Sequence, residues 1–287
     1  MGRVDVEKIP YEDYSNRQLA AIPLAILALA ILVVLGAYFI TGAPADLGMV
    51  FTGGTEIRFE ADAGTADIRS SLSDVESDSI ISVGLGSGEY ELSTQATNTE
   101  EITDRIEEEG YNVLSVESRS ADFGSNTQGE ALFGLLLAFV GMSLLIALIF
   151  RSFIPSLAIV ASAFSDIVIP LALMNILGIE LNLGTVAALL MIIGYSVDSD
   201  ILLNNHVLKR HGDFYDSSFR AMRTGVSMTL TSIAAMATMW LVATLLGIPL
   251  LPDVGIVLIF GLTADLFNTY MLNMSLLRWY KYEGVKR

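Results

Sequence analysis

Six uninterrupted apolar runs constrain this chain more than any other feature: residues 19–40, 131–150, 154–177, 183–205, 225–246 and 255–276. Each can cross a hydrocarbon layer of about 30 Å, which takes roughly 20 helical residues. In lipid every backbone N–H and C=O must bond within its own helix or within a closed barrel. The runs are continuous and do not alternate with period two, so they predict helices and not barrel strands. The expected fold class is therefore an α-helical integral membrane protein with six transmembrane helices, in keeping with a chain of 287 residues that is 53% hydrophobic. Ala43-Pro44-Ala45 follows the first run and resembles a signal cleavage site. The run itself exceeds the roughly 7–15 apolar residues of a signal peptide, so it reads as an anchor.

Between the first two runs lies a hydrophilic insert, residues 41–130, with 19 Asp/Glu and 4 Lys/Arg. It carries −15 of the chain's −16. So acidic a surface argues against nucleic acid as a partner, and it suits a protein kept soluble in concentrated salt, which points to a halophilic source. Within the insert, Thr55 to Glu60 alternates as a strand, and Thr65 to Val75 reads as a helix with Thr65 as N-cap. Ser79 to Leu85 and Glu89 to Gln95 read as strands joined by Gly86-Ser87-Gly88. Thr99 to Glu109 is a helix capped by Thr99 and stopped by Gly110, and Tyr111 to Ser118 is a last strand. The β-α-β-β-α-β order predicts an α+β ferredoxin-like domain. The insert lacks His and the whole chain lacks Cys, so its carboxylates read as a solvated surface and its role as binding a partner or polypeptide. Phe51-Thr52-Gly53-Gly54-Thr55 enters the first strand, where two glycines permit a tight turn or a close backbone approach.

Lys and Arg near span ends set orientation. Arg3, Lys8, Arg17, Arg151, Lys209, Arg210, Arg220, Arg223, Arg278, Lys281, Lys286 and Arg287 all fall at the same ends of the spans. The short loops at the other ends, around Gly178-Ile179-Glu180 and from Gly247 to Asp253, have none. The expected organisation is a cytoplasmic segment 1–18, a first transmembrane helix 19–40, an exterior domain 41–130, helices two to six within 131–276, and a cytoplasmic tail 277–287.

Within this frame carboxylates stand where lipid should be. Asp166 and Asp265 fall near the middles of spans three and six, and Asp198 slightly past the middle of span four, with Asp200 following it. An Asp at a helix centre costs roughly 2.5–3.5 kcal/mol on the insertion scale. No Lys, Arg or His lies near any of these midpoints. The set therefore needs protons, a shared cation or a partner's basic helix, which makes all four candidates for an ion relay. Asp198 and Asp200 point about 200° apart on a helix. Asp198 shares a face with Gly194, Ile201 and Asn205; Asp200 shares one with Ser196 and Asn204. The position of Asp198 nearer the span centre, beside Gly194, which admits a neighbouring helix, assigns Asp198 to the bundle interior and Asp200 to a structural contact nearer the cytoplasm. In span five, Ser227, Thr229, Thr231 and Ser232 read as helix-packing hydroxyls.

One span, an exterior ferredoxin-like insert and five more spans, with Phe51-Thr52-Gly53-Gly54-Thr55 after the first and Gly194-Tyr195-Ser196 opening the acidic stretch of the fourth, resembles the SecF family of protein-export membrane proteins, of the resistance-nodulation-division superfamily and of the archaeal type. That resemblance implies a multi-pass cell-membrane subunit, not an enzyme. It would act with SecD beside the SecY channel complex, on a translocating polypeptide, within the lipid bilayer. Bacterial forms carry Asn-Asp after Gly-Tyr-Ser, where this chain has Asp198 and Ser199. They also carry an Arg near the start of span five, where this chain has Ser227 and its neighbours. A small-molecule or lipid transporter of the same superfamily is the alternative, although six spans and one small insert count against it. A scaffold for SecD is a third reading. No ATP-binding Gly-x-x-x-x-Gly-Lys loop, metal set or cofactor motif is present.

Overall fold

The structure is a computed structural model that describes residues 11–75, 77, 79–84, 86–96, 98–209 and 213–283. Of the residues used above, Arg3, Lys8, Leu85, Arg210, Lys286 and Arg287 lie outside them.

The first span is α1 (Asn16–Thr41). Ser15 begins it with a capping box, its hydroxyl accepting from the Gln18 amide at 3.2 Å while Gln18 Oε1 accepts from the Ser15 amide at 2.8 Å. Gly42 ends it in the left-handed region, φ 78°. A short α2 (Met49–Thr52) follows, then β1 (Gly54–Glu60), α3 (Thr65–Ser71), β2 (Ser79–Val83), β3 (Glu89–Thr94), α4 (Thr99–Glu108) and β4 (Asn112–Arg119). The four strands pair antiparallel in the order β2-β3-β1-β4. This is the expected ferredoxin-like sheet.

Register explains the domain's core. Ile57 faces Leu92 and Phe59 faces Tyr90 across β1 and β3, so alternate residues point to one side, where they meet Ile68 and Leu72 of α3 and Ile102 and Ile106 of α4. The caps differ from expectation. Gly64 and Asn98 are the N-caps, because Thr65 and Thr99 are already the first helical residues. α3 also stops at Ser71, with Leu72 as its C-cap, short of Val75.

The remaining spans are α5 (Ala121–Phe150), α6 (Phe153–Leu177), α7 (Leu183–Lys209), α8 (Phe214–Leu246), α9 (Leu251–Phe267), a π-helical turn (Asn268–Asn273) and α10 (Met274–Tyr282). Among the described residues six stretches are long and apolar enough to cross a membrane, the last running through α9, the turn and α10. α5 starts ten residues ahead of its apolar run, capped by Ser120, and α8 starts at Phe214, capped by Asp213. Both starts are set by capping side chains, which hydropathy does not report.

Burial sorts the spans. Two-thirds of the apolar window of α6 is buried and more than half of those of α7 and α9, against 6% for α5, 11% for α8 and 17% for α1. The inner three helices are those able to shelter polar groups from lipid. Glycine sets how closely they pack: a Cβ on Gly261 would enter Ile192, and one on Gly225 would enter the Tyr270 hydroxyl.

The insert is fixed to this bundle by backbone. The Gly48 amide donates to Leu181 O at 2.9 Å and the Leu181 amide to Asp46 O at 2.6 Å. At the other side Gly84 packs on Gly247, so the β2–β3 turn rests on the loop between α8 and α9.

Candidate functional site

Asp166 on α6, Asp200 on α7 and Asp265 on α9 are each at most 1% exposed and meet inside the bundle. Asp166 accepts from the Ser196 hydroxyl and from Asn268 Nδ2, both at 2.5 Å. Asp265 Oδ1 lies 2.8 Å from Ser199 Oγ and 3.1 Å from Thr269 Oγ1. Asp200 Oδ1 accepts from Asn273 Nδ2 at 2.7 Å and lies 2.8 Å from Thr269 Oγ1. Asn204 Nδ2 donates to the Asp200 carbonyl at 2.8 Å.

The π turn makes this possible. Its wider winding places Asn268, Thr269 and Asn273 together against the three acids, and such turns commonly accompany function. Among the described residues the partners of the three carboxylates are hydroxyls and amides, and no Lys, Arg or His bonds to them. Ionising all three at once in so dry a place would cost far more than those bonds return. Protons, a shared cation or a basic group of a neighbouring subunit would offset that cost. The arrangement is one of three enclosed carboxyls joined through hydroxyls and amides from three helices. Several oxygens stay buried without a hydrogen-bond partner among the described residues: Asp200 Oδ2, Asn268 Oδ1, Asn204 Oδ1 and the hydroxyls of Ser162 and Ser165.

The two acids of span four exchange the positions expected of them. Asp200, with Ser196 and Asn204, occupies the buried face, each of the three fully enclosed. Asp198 is exposed, and a Cβ added to Gly194 would find nothing within 4 Å. Helical spacing separates the faces, but the packing of α6 and α9 on one of them decides which is inside. Asp198 instead opens on a cleft of about 470 Å³ between α7 and α8, which Tyr195, Asn205, His206, Met228 and Thr229 help to line. Tyr195 accepts a hydrogen bond from Ser232 at 3.1 Å. Of the span-five hydroxyls, Thr229 is buried while Thr231 is exposed, each bonded back to the carbonyl four residues before it.

Sequence reasoning missed Ser199, Asn268, Thr269 and Asn273. The signal was there: Asn268 and Thr269 follow Asp265 at the helical spacing of three and four that puts them on its face.

The glycine motif forms a backbone junction. Gly53 and Gly54 have φ of 77° and 126°, and a Cβ on Gly53 would lie 2.6 Å from the Ala121 amide nitrogen. A Cβ on Gly124 would lie 2.6 Å from Phe51 O. Gln95 Nε2 donates to Gly53 O at 3.0 Å. Phe51, 2% exposed, anchors the motif in the bundle's main apolar cluster. Around the same junction the Glu180 carboxyl is raised above the ordinary glutamate range, by partial desolvation of a side chain that still reaches the surface and then by Asp253, Asp46 and Glu91. Glu56 is raised by burial and by Glu91 and Glu117.

Residues 98–283 match the family described as "Protein export membrane protein SecD/SecF, C-terminal". The chain is 60% identical over 290 residues to a protein-export membrane protein SecF of Haloferax volcanii, with all of both chains covered. It is 54% identical over 292 residues to one of Haloquadratum walsbyi, again with full coverage of both. It is 34% identical over 275 residues to one of Pyrococcus furiosus, covering 91% of this chain and 90% of that one. The haloarchaeal sources of the first two fit the acidic insert. Among solved structures, the crystal structure of SecDF, a translocon-associated membrane protein from Thermus, superposes with a TM-score of 0.73 at 21% identity, over 98% of this chain and 40% of that one. SecDF in its super-membrane-facing form gives 0.60 at 21% identity, over 100% and 40%. The present chain thus spans about 40% of the length of those SecDF chains. These relatives do not favour the transporter reading.

Proposed function

Because the chain belongs to the SecF family of protein-export membrane proteins, we propose that it is an accessory subunit of Sec protein export that works against a SecD subunit beside the SecY channel and draws on an ion gradient through its buried acids. The observation that carries this reading is Asp198, exposed within a membrane helix on the bundle's outer side. Left facing acyl chains, it would cost roughly 2.5–3.5 kcal/mol. Another membrane subunit covering the α7–α8 cleft removes that cost, and the hydroxyls on the outer face of α8 suit close helix contact.

Two further parts of the proposal rest on charge. The Lys and Arg of the span ends opposite the insert support cytoplasmic termini and an acidic domain outside, where it meets the translocating polypeptide. The inner acids, Asp166, Asp200 and Asp265, take up and release the coupling ion. The subunit itself carries out no covalent step.

The test uses the absence of native cysteine. Ile201→Cys, on the cleft wall, should crosslink to a SecD-like subunit in native membranes. Asp198→Asn should slow export of a secreted reporter while the complex stays assembled, and Asp200→Asn should do the same. Recovery of the chain as a homo-oligomer only, or unchanged export in both variants, would refute the proposal.

A further inference from the structure

Thr269 stands between two carboxylates with a single proton to give. Its Oγ1 lies 2.8 Å from Asp200 Oδ1 and 3.1 Å from Asp265 Oδ1, and a threonine hydroxyl has one O–H and two lone pairs. Asn273 already donates to the same Asp200 oxygen. Ser199, the other hydroxyl in contact, lies 2.8 Å from both Asp265 Oδ1 and the Ser196 carbonyl, and 3.2 Å from Thr269. If both acids were ionised, one of the two Thr269 contacts would set an oxygen lone pair against a buried carboxylate without a proton between them. One added proton resolves it: one carboxyl donates to Thr269, and Thr269 donates to the other.

We propose that Thr269 is a proton relay joining Asp265 of span six to Asp200 of span four, a role that rests on the reading that the buried acids couple export to an ion gradient. In one arrangement Asp265 Oδ1–H donates to Thr269 Oγ1, whose own hydrogen points to ionised Asp200. The step breaks the O–H bond of Asp265 and makes one to Thr269, as the original O–H bond of Thr269 breaks and one to Asp200 Oδ1 forms. One proton has then moved between helices, the hydroxyl is restored facing the other way, and the pair's total charge is unchanged. Ser199 turns between Asp265 and the Ser196 carbonyl to suit either arrangement.

A second observation gives the relay an outlet. Asp200 is fully enclosed, yet its Oδ2 has no hydrogen-bond partner among the described residues. The proton arrives on Oδ1, and the carboxyl presents it on the unpartnered side only after it turns over and exchanges its two oxygens. Nearby, Asn204 Oδ1 is also unpartnered, while Asn204 Nδ2 bonds the Asp200 carbonyl and lies 3.4 Å from Asn273 Oδ1. This extends the polar path from the carboxylates toward the end of the bundle opposite the insert.

The experiment follows gradient-driven export of a reporter by the complex containing Thr269→Val, which keeps the shape and removes the hydroxyl, and Thr269→Ser, which keeps the hydroxyl. Thr269→Val should lower the rate about tenfold or more, toward the roughly 10²-fold that a positioned proton-transfer group supplies. Thr269→Ser should recover most of that loss, with assembly intact in both. If Asp200→Asn and Asp265→Asn stop the stimulation while Thr269→Val keeps it, the relay is overturned and the ion-coupled reading stands. If the two Asp→Asn variants export normally, both fall. Infrared spectra of the unmodified complex give a reading independent of how Thr269→Val folds. A protonated-carboxyl band should be present that the Asp200→Asn/Asp265→Asn double variant lacks, and its absence from the unmodified complex overturns the relay.

Discussion

Replacing Gly53 by alanine separates two costs that a glycine can hide. Its φ of 77° with ψ of 178° lies where side chains rarely sit, a strain of about 1–3 kcal/mol. Its Cβ would also fall 2.6 Å from the Ala121 nitrogen and 2.7 Å from the Ala121 Cα. Those are backbone atoms at the capped start of α5 and cannot swing aside, so overpacking adds about 1–3 kcal/mol. Two controls isolate the parts. Gly110, at φ 82°, has nothing within 4 Å of its Cβ, so Gly110→Ala carries only strain, about 1–2 kcal/mol. Gly124 sits within α5, so Gly124→Ala carries the overlap with Phe51 O, offset by up to about 1 kcal/mol of helix propensity. Amide hydrogen exchange of the full chain in detergent reads the opening of β1 and of the first turns of α5. Each 1.4 kcal/mol is about tenfold in protection. Gly53→Ala should reduce protection there by about 30-fold or more, and by roughly tenfold beyond Gly110→Ala. Equal losses in these two variants would refute the claim that the motif is a backbone contact between the insert and span two.

Two other outcomes follow from the insert and its docking. Phe59 is fully buried and stacks on Tyr90 and Tyr111 with ring centroids 5.9 and 5.7 Å away. Phe59→Ala should therefore cost about 3–5 kcal/mol, seen as early urea unfolding of the sheet while the helical signal of the bundle persists. Glu180 has a raised carboxyl pKa in the folded chain, so the folded state holds its proton more tightly than the unfolded one. The resulting stability is complete below the ordinary glutamate value of 4.5 and is lost as pH rises through the raised value. Limited proteolysis should find the insert–bundle junction tighter in acid, with Glu180→Gln flattening the profile. An unchanged profile in that variant would assign the effect elsewhere.

How much was legible varies by kind of residue. Span positions were readable because lipid forces each crossing segment to satisfy its own backbone, which leaves a long apolar run as an unavoidable mark. The β-α-β-β-α-β insert was readable from alternation and turn residues, and Gly53 and Gly54 marked a close approach before its other side was known. Helix starts were less so. Ser120 and Asp213 begin α5 and α8 well before their apolar runs, because the first turns lie in polar stretches whose side chains cap rather than partition. The π turn was not foreseen: its wider winding appears only when Asn268, Thr269 and Asn273 are seen bonded to acids from three helices.

Apolar runs and charge placement are enough to read six membrane crossings, one acidic α+β domain that interrupts them, and carboxylates at mid-span with no Lys, Arg or His beside them. Helical periodicity also determined that Asp198 and Asp200 face opposite ways. Which of the two faces is inward depends on the packing of other helices. Periodicity is a property of one helix, whereas inside and outside are created by its neighbours, and α6 and α9 pack on the Asp200 side. That packing brings Asp200 to Asp166 and Asp265 and leaves Asp198 on the bundle's outer side.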